Sequence, residues 1–221
     1  MKFKCVIFDL DGTLVNTLGD IAANMNRALE EQGFSPCPKE QYMDFVGNGI
    51  KKLAYHVLPG DKRDEETIEK TAALALGFYA EKPLVYSKPY PGIPELVAAL
   101  QALNVRTGVL TNKPDIIARR VVEGLFPAGS FDEVLGEIKG APRKPDPTAA
   151  WEMMIRLGVS PRETIFAGDS EVDIETARAA DCSVLAVSWG FRRREILEKA
   201  GAGRIIDMPE ELLTLIRETR Y

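Results

Sequence analysis

Cys5-Val6-Ile7-Phe8-Asp9-Leu10-Asp11-Gly12-Thr13-Leu14-Val15 is the stretch that decides the fold. A short apolar run ends abruptly in two acids and a glycine, the trace that a strand buried on both faces leaves in a sequence. The same trace recurs outward along the chain. Strands are expected at 4–8, 107–110, 133–135, 164–167 and 183–187, each followed by a polar or glycine-containing turn. Helical spacing fills the intervals. Ile93, Leu96, Val97, Leu100 and Leu103 make one apolar stripe, with Pro94 at a first helical position. Ile116, Ile117, Val121 and Leu125 make a second, and 151–157, 175–180 and 195–200 continue the series. Strands and helices alternating in this way specify an α/β protein with a doubly wound parallel sheet, a Rossmann-like core.

Residues 17–88 break the alternation. No convincing strand occurs there; Ile21, Met25, Ala28 and Leu29 fit a helix ending at Gly33, and helical patterns cover 41–46, 50–58 and 65–81. A helical block placed directly after the first strand predicts a second, smaller domain over 17–88. The core then comprises 1–16 and 89–221, and Ser87-Lys88-Pro89-Tyr90-Pro91-Gly92 is the return linker.

Composition narrows the chemistry. The chain has 221 residues, with 33 acids, 28 bases, a net charge of −5 and a single histidine, His56. Multi-histidine metal sites are excluded, and a Ser-His-Asp triad would have to use His56. Cys5, Cys37 and Cys182 are odd in number and far apart, which argues against a zinc finger or a disulfide framework. The negative charge disfavours nucleic-acid binding. No apolar run approaches the ~20 residues of a membrane span, and the first is too short for a signal-peptide core. A cytoplasmic protein is expected, as monomer or homodimer, with neither nucleic acid nor membrane as partner.

Polar residues sit at three strand ends, where an open α/β sheet gathers its ligands. These are Asp9-Leu10-Asp11-Gly12-Thr13, Thr111-Asn112-Lys113 and Gly168-Asp169-Ser170-Glu171-Val172-Asp173; a fourth polar segment, Arg143-Lys144-Pro145-Asp146-Pro147, precedes the helix of Trp151. The physical reading is phosphoryl transfer. Asp9 and Asp11, two apart in extended chain, point the same way. One can serve as nucleophile and the other as general acid and base. A carboxylate is expected to be ionised at neutral pH, so no histidine is needed. Several acids together repel one another and an incoming phosphate, which calls for a hard divalent cation, Mg²⁺. Asp169 adds a carboxylate, Asp173 lies one helical turn beyond it, Gly12 permits close backbone approach, and Thr111, Asn112 and Lys144 can donate to phosphate oxygens.

In these four motifs, in this order, the chain resembles the haloacid dehalogenase-like hydrolase superfamily. Asp9-Leu10-Asp11-Gly12-Thr13-Leu14-Val15 is its first motif, Thr111-Asn112 the second, Lys144 the third, and Gly168-Asp169 with Asp173 the fourth. The resemblance implies that Asp9 forms an aspartyl-phosphate, and that Asp11 protonates the leaving oxygen and then activates water. It also implies that Mg²⁺ is held by the Asp9 side chain, the Asp11 carbonyl and Asp169. Asp173, with Ser170, then lies beside the ion or orients Lys144. The acid at Asp11 favours phosphate esters over haloacids.

Within the superfamily, Val46-Gly47-Asn48-Gly49 and Trp189-Gly190-Phe191-Arg192 resemble phosphoglycolate phosphatases. Gly47, Asn48 and Gly49 are expected in a cap loop over the substrate, their alternative being an ordinary helix–helix turn. The expected activity is Mg²⁺-dependent hydrolysis of a small phosphate monoester, 2-phosphoglycolate foremost. An inorganic pyrophosphatase, a hexose-phosphate mutase and a non-enzymatic phospho-acceptor switch are the competing readings. His56 reads as packing or surface. Arg192-Arg193-Arg194 fits an anion site or a solvated face, and Lys113 can reach phosphate or solvent.

Overall fold

The computed structural model describes residues 3–218; residues 1–2 and 219–221 of the expected core lie outside the described residues. Six parallel strands form the main sheet: β1 (Cys5–Phe8), β4 (Arg106–Pro114), β5 (Glu133–Glu137), β6 (Thr164–Gly168), β7 (Ser183–Val187) and β8 (Ile205–Ile206). Their order is β5-β4-β1-β6-β7-β8. The winding therefore reverses at β1, and Phe8 pairs with Val109 on one side and Ala167 on the other. At such a reversal two crossovers leave in opposite directions, opening a crevice beyond the strand ends. Asp9, Thr111 and Asp169 all fall there.

Alternation along the strands sorts the core into two faces. Val6, Phe8, Val109, Ile165 and Ala167 pack with α5 (Ile93–Ala102), α6 (Asp115–Leu125) and α10 (Pro209–Glu218). Cys5, Ile7, Leu110 and Phe166 pack with α7 (Thr148–Leu157) and α8 (Glu171–Ala179). The short α9 (Arg194–Lys199) buries Leu197 against Ile174 and Ala186. This is the doubly wound, Rossmann-like sheet expected.

Between β2 (Val15–Asn16) and β3 (Lys88–Pro89) the chain is helical: α1 (Leu18–Glu30), α2 (Tyr42–Phe45), α3 (Ile50–Val57) and α4 (Glu65–Glu81). Asp64 caps α4 by accepting from Thr67 N at 2.9 Å, and its inward stripe is Thr71, Ala72, Ala75 and Tyr79. The helix expected over 41–46 is shorter, a 3₁₀ turn at Lys39–Gln41 running into α2. Antiparallel pairing of Val15 with Pro89 and Asn16 with Lys88 makes a two-strand neck under these helices. Asp20, buried on α1, braces that neck. Its carboxylate accepts from Val85 N, Tyr86 N and Ser87 N at 2.7–3.2 Å, and from Ser87 Oγ at 2.5 Å.

Three elements lie outside the sequence expectation or extend it. β4 runs on to Pro114 with a register shift after Leu110, so Thr111-Asn112-Lys113 belongs to the strand. β8 and α10 complete the last winding. α10 carries its own signal, acids Glu210 and Glu211 in the first turn and inward Leu212 and Ile216. No helix among the described residues is long and apolar enough to cross a membrane.

Candidate active site

The first strand delivers Asp9 to the crevice with its N–H donating to Ala167 O at 2.9 Å. Gly12 turns the chain back at φ +87°, and a Cβ there would come within 2.3 Å of Asp169 Oδ2. Only glycine lets the two segments approach so closely. The Gly12 N–H itself is spent on Val15 O, at 2.9 Å. Thr13 Oγ1 donates to Asp169 Oδ1 at 3.3 Å and Phe191 N to Asp169 Oδ2 at 2.7 Å, fixing that carboxylate from both sides.

Lys144, whose peptide to Pro145 is cis, places its ammonium between two acids. Nζ is 2.6 Å from Asp173 Oδ1 and 2.9 Å from Asp9 Oδ1. Burial alone would lower its pKa, yet Asp173 and Asp9 hold it above the usual lysine range. Both oxygens of Asp173 are committed, Oδ1 to Lys144 and Oδ2 to Ser170, whose Oγ and N donate at 2.6 and 3.1 Å. Ser170 and Asp173 thereby form the capping box that starts α8. Asp173 thus positions the lysine while capping a helix.

Asp9, Asp169 and Asp173 bring carboxylate oxygens within 4.8 Å of one another, all three residues buried. Burial is the main cause pushing Asp9 up to about 7, opposed by Lys144 and reinforced by Asp173 and Asp11. Burial likewise raises Asp169 well above the carboxylate range, with Asp173 and Asp9 adding to it. Burial among neighbouring acids thus works against the ionised nucleophile, and a cation beside Asp9 would act in the opposite direction. With all four carboxylates ionised (Asp9, Asp11, Asp169 and Asp173), the two ammonium groups of Lys113 and Lys144 would leave two surplus negative charges, which one divalent cation would cancel. The buried Asp9 Oδ1 also lacks a hydrogen-bond partner among the described residues, since its contact with Lys144 does not meet hydrogen-bond geometry. The residues present fit a hard cation held by oxygen ligands.

Asp11 points into the same cavity and is held by other partners. Thr17 Oγ1 donates to its Oδ1 at 2.7 Å, and Lys113 Nζ lies 2.9 and 3.2 Å from its two oxygens. Lys113 is thus fully buried on an acid, neither at the solvent nor free. Burial opposes its charge, but Asp11 keeps it above the usual lysine range. Thr111 Oγ1 accepts from Lys113 N at 3.2 Å, leaving its own proton to donate. Asn112 Nδ2 is fully employed: it donates to Lys144 O and to Gly47 O, each at 3.0 Å. The second bond ties the sheet to the helical block.

Gly47 and Gly49 line the cavity with Asp9 and Asp11, and the cavity's free volume is about 60 Å³. Its far wall is apolar, built from Ile21, Met25, Val46, Leu53 and Leu76. One residue not singled out in the sequence, Tyr79, belongs here, and the contacts of Arg192 emerge only from the fold. Tyr79 of α4 brings a buried hydroxyl to the cavity, and Arg192 reaches from the loop after β7 to donate to Met43 O and Val46 O. Arg192 also pairs with Glu171 at 3.0 Å, so it serves neither a phosphate nor a solvated face. Arg193 is exposed, Arg194 pairs with Asp207, and His56 is half-buried, stacked on Phe45. Tyr79 could be read as inward from its helical spacing, whereas Arg192's partners are main-chain carbonyls that leave no mark in sequence.

A carboxylate cluster at the reversal of a doubly wound sheet, roofed by helices and served by a buried lysine, fits a hydrolase. The chain belongs to the haloacid dehalogenase-like hydrolase family, whose model matches residues 6–187. It is 37% identical over 210 residues to a phosphoglycolate phosphatase of Rhodospirillum rubrum, covering 92% of this chain and 87% of the relative. A phosphoglycolate phosphatase of Aquifex aeolicus is 31% identical, with 85% and 86% covered. A crystal structure from Lactobacillus delbrueckii subsp. bulgaricus, provisionally named a phosphoglycolate phosphatase, superposes with a TM-score of 0.90 at 33% identity, covering 96% and 97% of the two chains. The fold is shared more widely: a β-phosphoglucomutase of Clostridium difficile matches at TM-score 0.78 and 21% identity, covering 98% and 96%.

Proposed function

We propose that the protein is a Mg²⁺-dependent phosphatase that hydrolyses 2-phosphoglycolate to glycolate and phosphate, in the cytoplasm, with 17–88 as a cap over a core of 1–16 and 89–221. The observation that carries the reading is the placement of Asp9 and Asp11 at the mouth of one small cavity, with Lys144 and Asp169 behind them. Asp9 and Asp169 would hold the cation, together with the Asp11 carbonyl. Bound there, Mg²⁺ supplies charge neutralisation for Asp9 and the phosphoryl oxygens.

The chain's own groups do the rest. Asp9 attacks phosphorus and becomes the aspartyl-phosphate; Asp11 gives a proton to the leaving oxygen and then takes one from the water that hydrolyses the intermediate. Lys144, held by Asp173, offsets charge on the phosphoryl group, and the Thr111 hydroxyl donates to it. Closure of the loop that carries Val46 and Gly47 over the cavity would exclude bulk water during transfer. The small free volume beside Asp9 and Asp11, about 60 Å³, favours a small leaving group such as glycolate. The similarity to phosphoglycolate phosphatases over most of the chain supports the same substrate.

A Mg²⁺-dependent phosphate-release panel of 2-phosphoglycolate, pyrophosphate, glucose phosphates and nucleotides tests this. The highest kcat/KM is expected for 2-phosphoglycolate. A higher value for pyrophosphate, or conversion of one sugar phosphate into another without phosphate release, would overturn it.

A further inference from the structure

The cavity has an uneven lining. Beyond Asp9 and Asp11 its walls are apolar, apart from Asn24, Gly47 and Gly49, the Thr111-Asn112 pair beside the phosphoryl end, and one corner where Lys113 and Tyr79 meet. Lys113 carries the only cationic side chain among the described lining residues. Its Nζ lies 4.4 Å from the Tyr79 ring centroid. The Tyr79 hydroxyl is buried and has no hydrogen-bond partner among the described residues; Lys113 lies near it without the geometry of a hydrogen bond. A buried hydroxyl with nothing to bond to is costly unless a ligand completes it. Burial also pushes that phenol up to about 12, so it keeps its proton and can donate.

We propose that Lys113 and Tyr79 form an anion subsite for the leaving group. On this assignment they select phosphate monoesters that carry a carboxylate a few bonds from the phosphorus. This deepens the proposed function and rests on its placement of the phosphoryl group at Asp9. Lys144 and the cation serve the phosphate end; Lys113, on the other side of Asp11, supplies the positive charge for the second anion, and Tyr79 supplies a hydrogen bond. Thr17 keeps Asp11 in place at 2.7 Å while Lys113 shares its charge with the substrate. The apolar remainder of the wall rejects leaving groups whose polar atoms extend elsewhere.

A matched pair of esters reads the subsite directly: 2-phosphoglycolate against 2-hydroxyethyl phosphate, which replaces the carboxylate by a neutral alcohol. The ratio of their kcat/KM values, taken on one preparation, does not depend on the fraction of folded enzyme. Lys113→Met is expected to collapse that ratio by about 10- to 100-fold and Tyr79→Phe by about 2- to 10-fold, the worth of a charged and a neutral hydrogen bond. Lys113→Arg should restore part of it. A loss shared equally by both esters would overturn the proposal, because Lys113 would then act only through Asp11. Failure of the substrate assignment is distinguishable. If 2-phosphoglycolate is a poor substrate but 3-phosphoglycerate keeps a Lys113-dependent advantage over glycerol 1-phosphate, the subsite stands and the named substrate falls. No Lys113-dependent advantage in either pair overturns the subsite.

Discussion

Arg192 Nη2 donates to the carbonyl oxygen of Val46 at 2.9 Å, across 146 residues of chain. The same guanidinium donates to Met43 O and pairs with Glu171, so one buried side chain from the sheet grips the loop that roofs the cavity. Asn112 makes the second tie, to Gly47 O at 3.0 Å. Arg192→Ala should therefore favour an open roof and lower kcat/KM by about 10²- to 10⁴-fold, as expected for losing two hydrogen bonds to a charged donor. Arg192→Lys should not rescue, since a point charge cannot reach two carbonyls as the planar fork does. Steady-state kinetics with amide exchange over 43–47 checks it; unchanged kinetics and unchanged exchange would remove the latch.

Asp9→Asn keeps the volume of the side chain and removes its nucleophilic oxygen. Turnover should fall on the order of 10⁴-fold or more, in line with loss of a nucleophile elsewhere, and acid-trapped phosphoprotein should vanish. Because the substitution also removes a buried acid crowded by Asp169 and Asp173, the metal-free variant should unfold at a higher temperature at pH 8 than the unaltered protein. Appreciable activity would end the assignment of Asp9.

Much of this was legible before any coordinates. The apolar run ending in Asp9-Leu10-Asp11-Gly12 and its echoes at Leu110 and Ala167 specified parallel strands, because strands buried on both faces must be apolar throughout. Their polar ends then marked the crevice. What stayed hidden depends on contacts distant in sequence. Arg192 bonds to main-chain carbonyls of any residue type, and Lys113 became buried only because β4 continues past Leu110 to deliver it onto Asp11. A sequence likewise shows an acid at position 9, but the burial that pushes it up to about 7 exists only in the folded chain.

Asp20 offers a test of the neck. Its carboxylate collects the N–H groups of Val85, Tyr86 and Ser87, which have no strand partner at that bend. Asp20→Ala would leave these donors without their acceptor in a site where Asp20 is 1% exposed. A loss of about 2–4 kcal/mol in unfolding free energy is expected, measured by urea denaturation. A change below about 0.5 kcal/mol, the scale of ordinary surface substitutions, would show that the neck does not depend on it.

The raised pKa of Asp9 gives the metal-free protein an inverted pH dependence. In the folded state Asp9 keeps its proton up to about 7, while its ordinary value is 3.8. Between those two values the folded chain binds more protons than the unfolded one, so stability falls as pH rises. Below the lower value both states are protonated and the penalty is absent; above about 7 it is complete. Asp169, raised for the same reason of burial, adds in the same direction. Denaturation in the presence of a chelator at pH 5, 6, 7 and 8 should therefore show a decline that Asp9→Asn reduces, the difference between the two proteins isolating this one group. Excess Mg²⁺ should restore stability most at pH 8, where protons compete least for the carboxylates. If the chelated protein instead becomes more stable from pH 5 to 8, and by the same amount with Asn at position 9, then Asp9 is ionised without help from a cation and the charge argument for the metal fails.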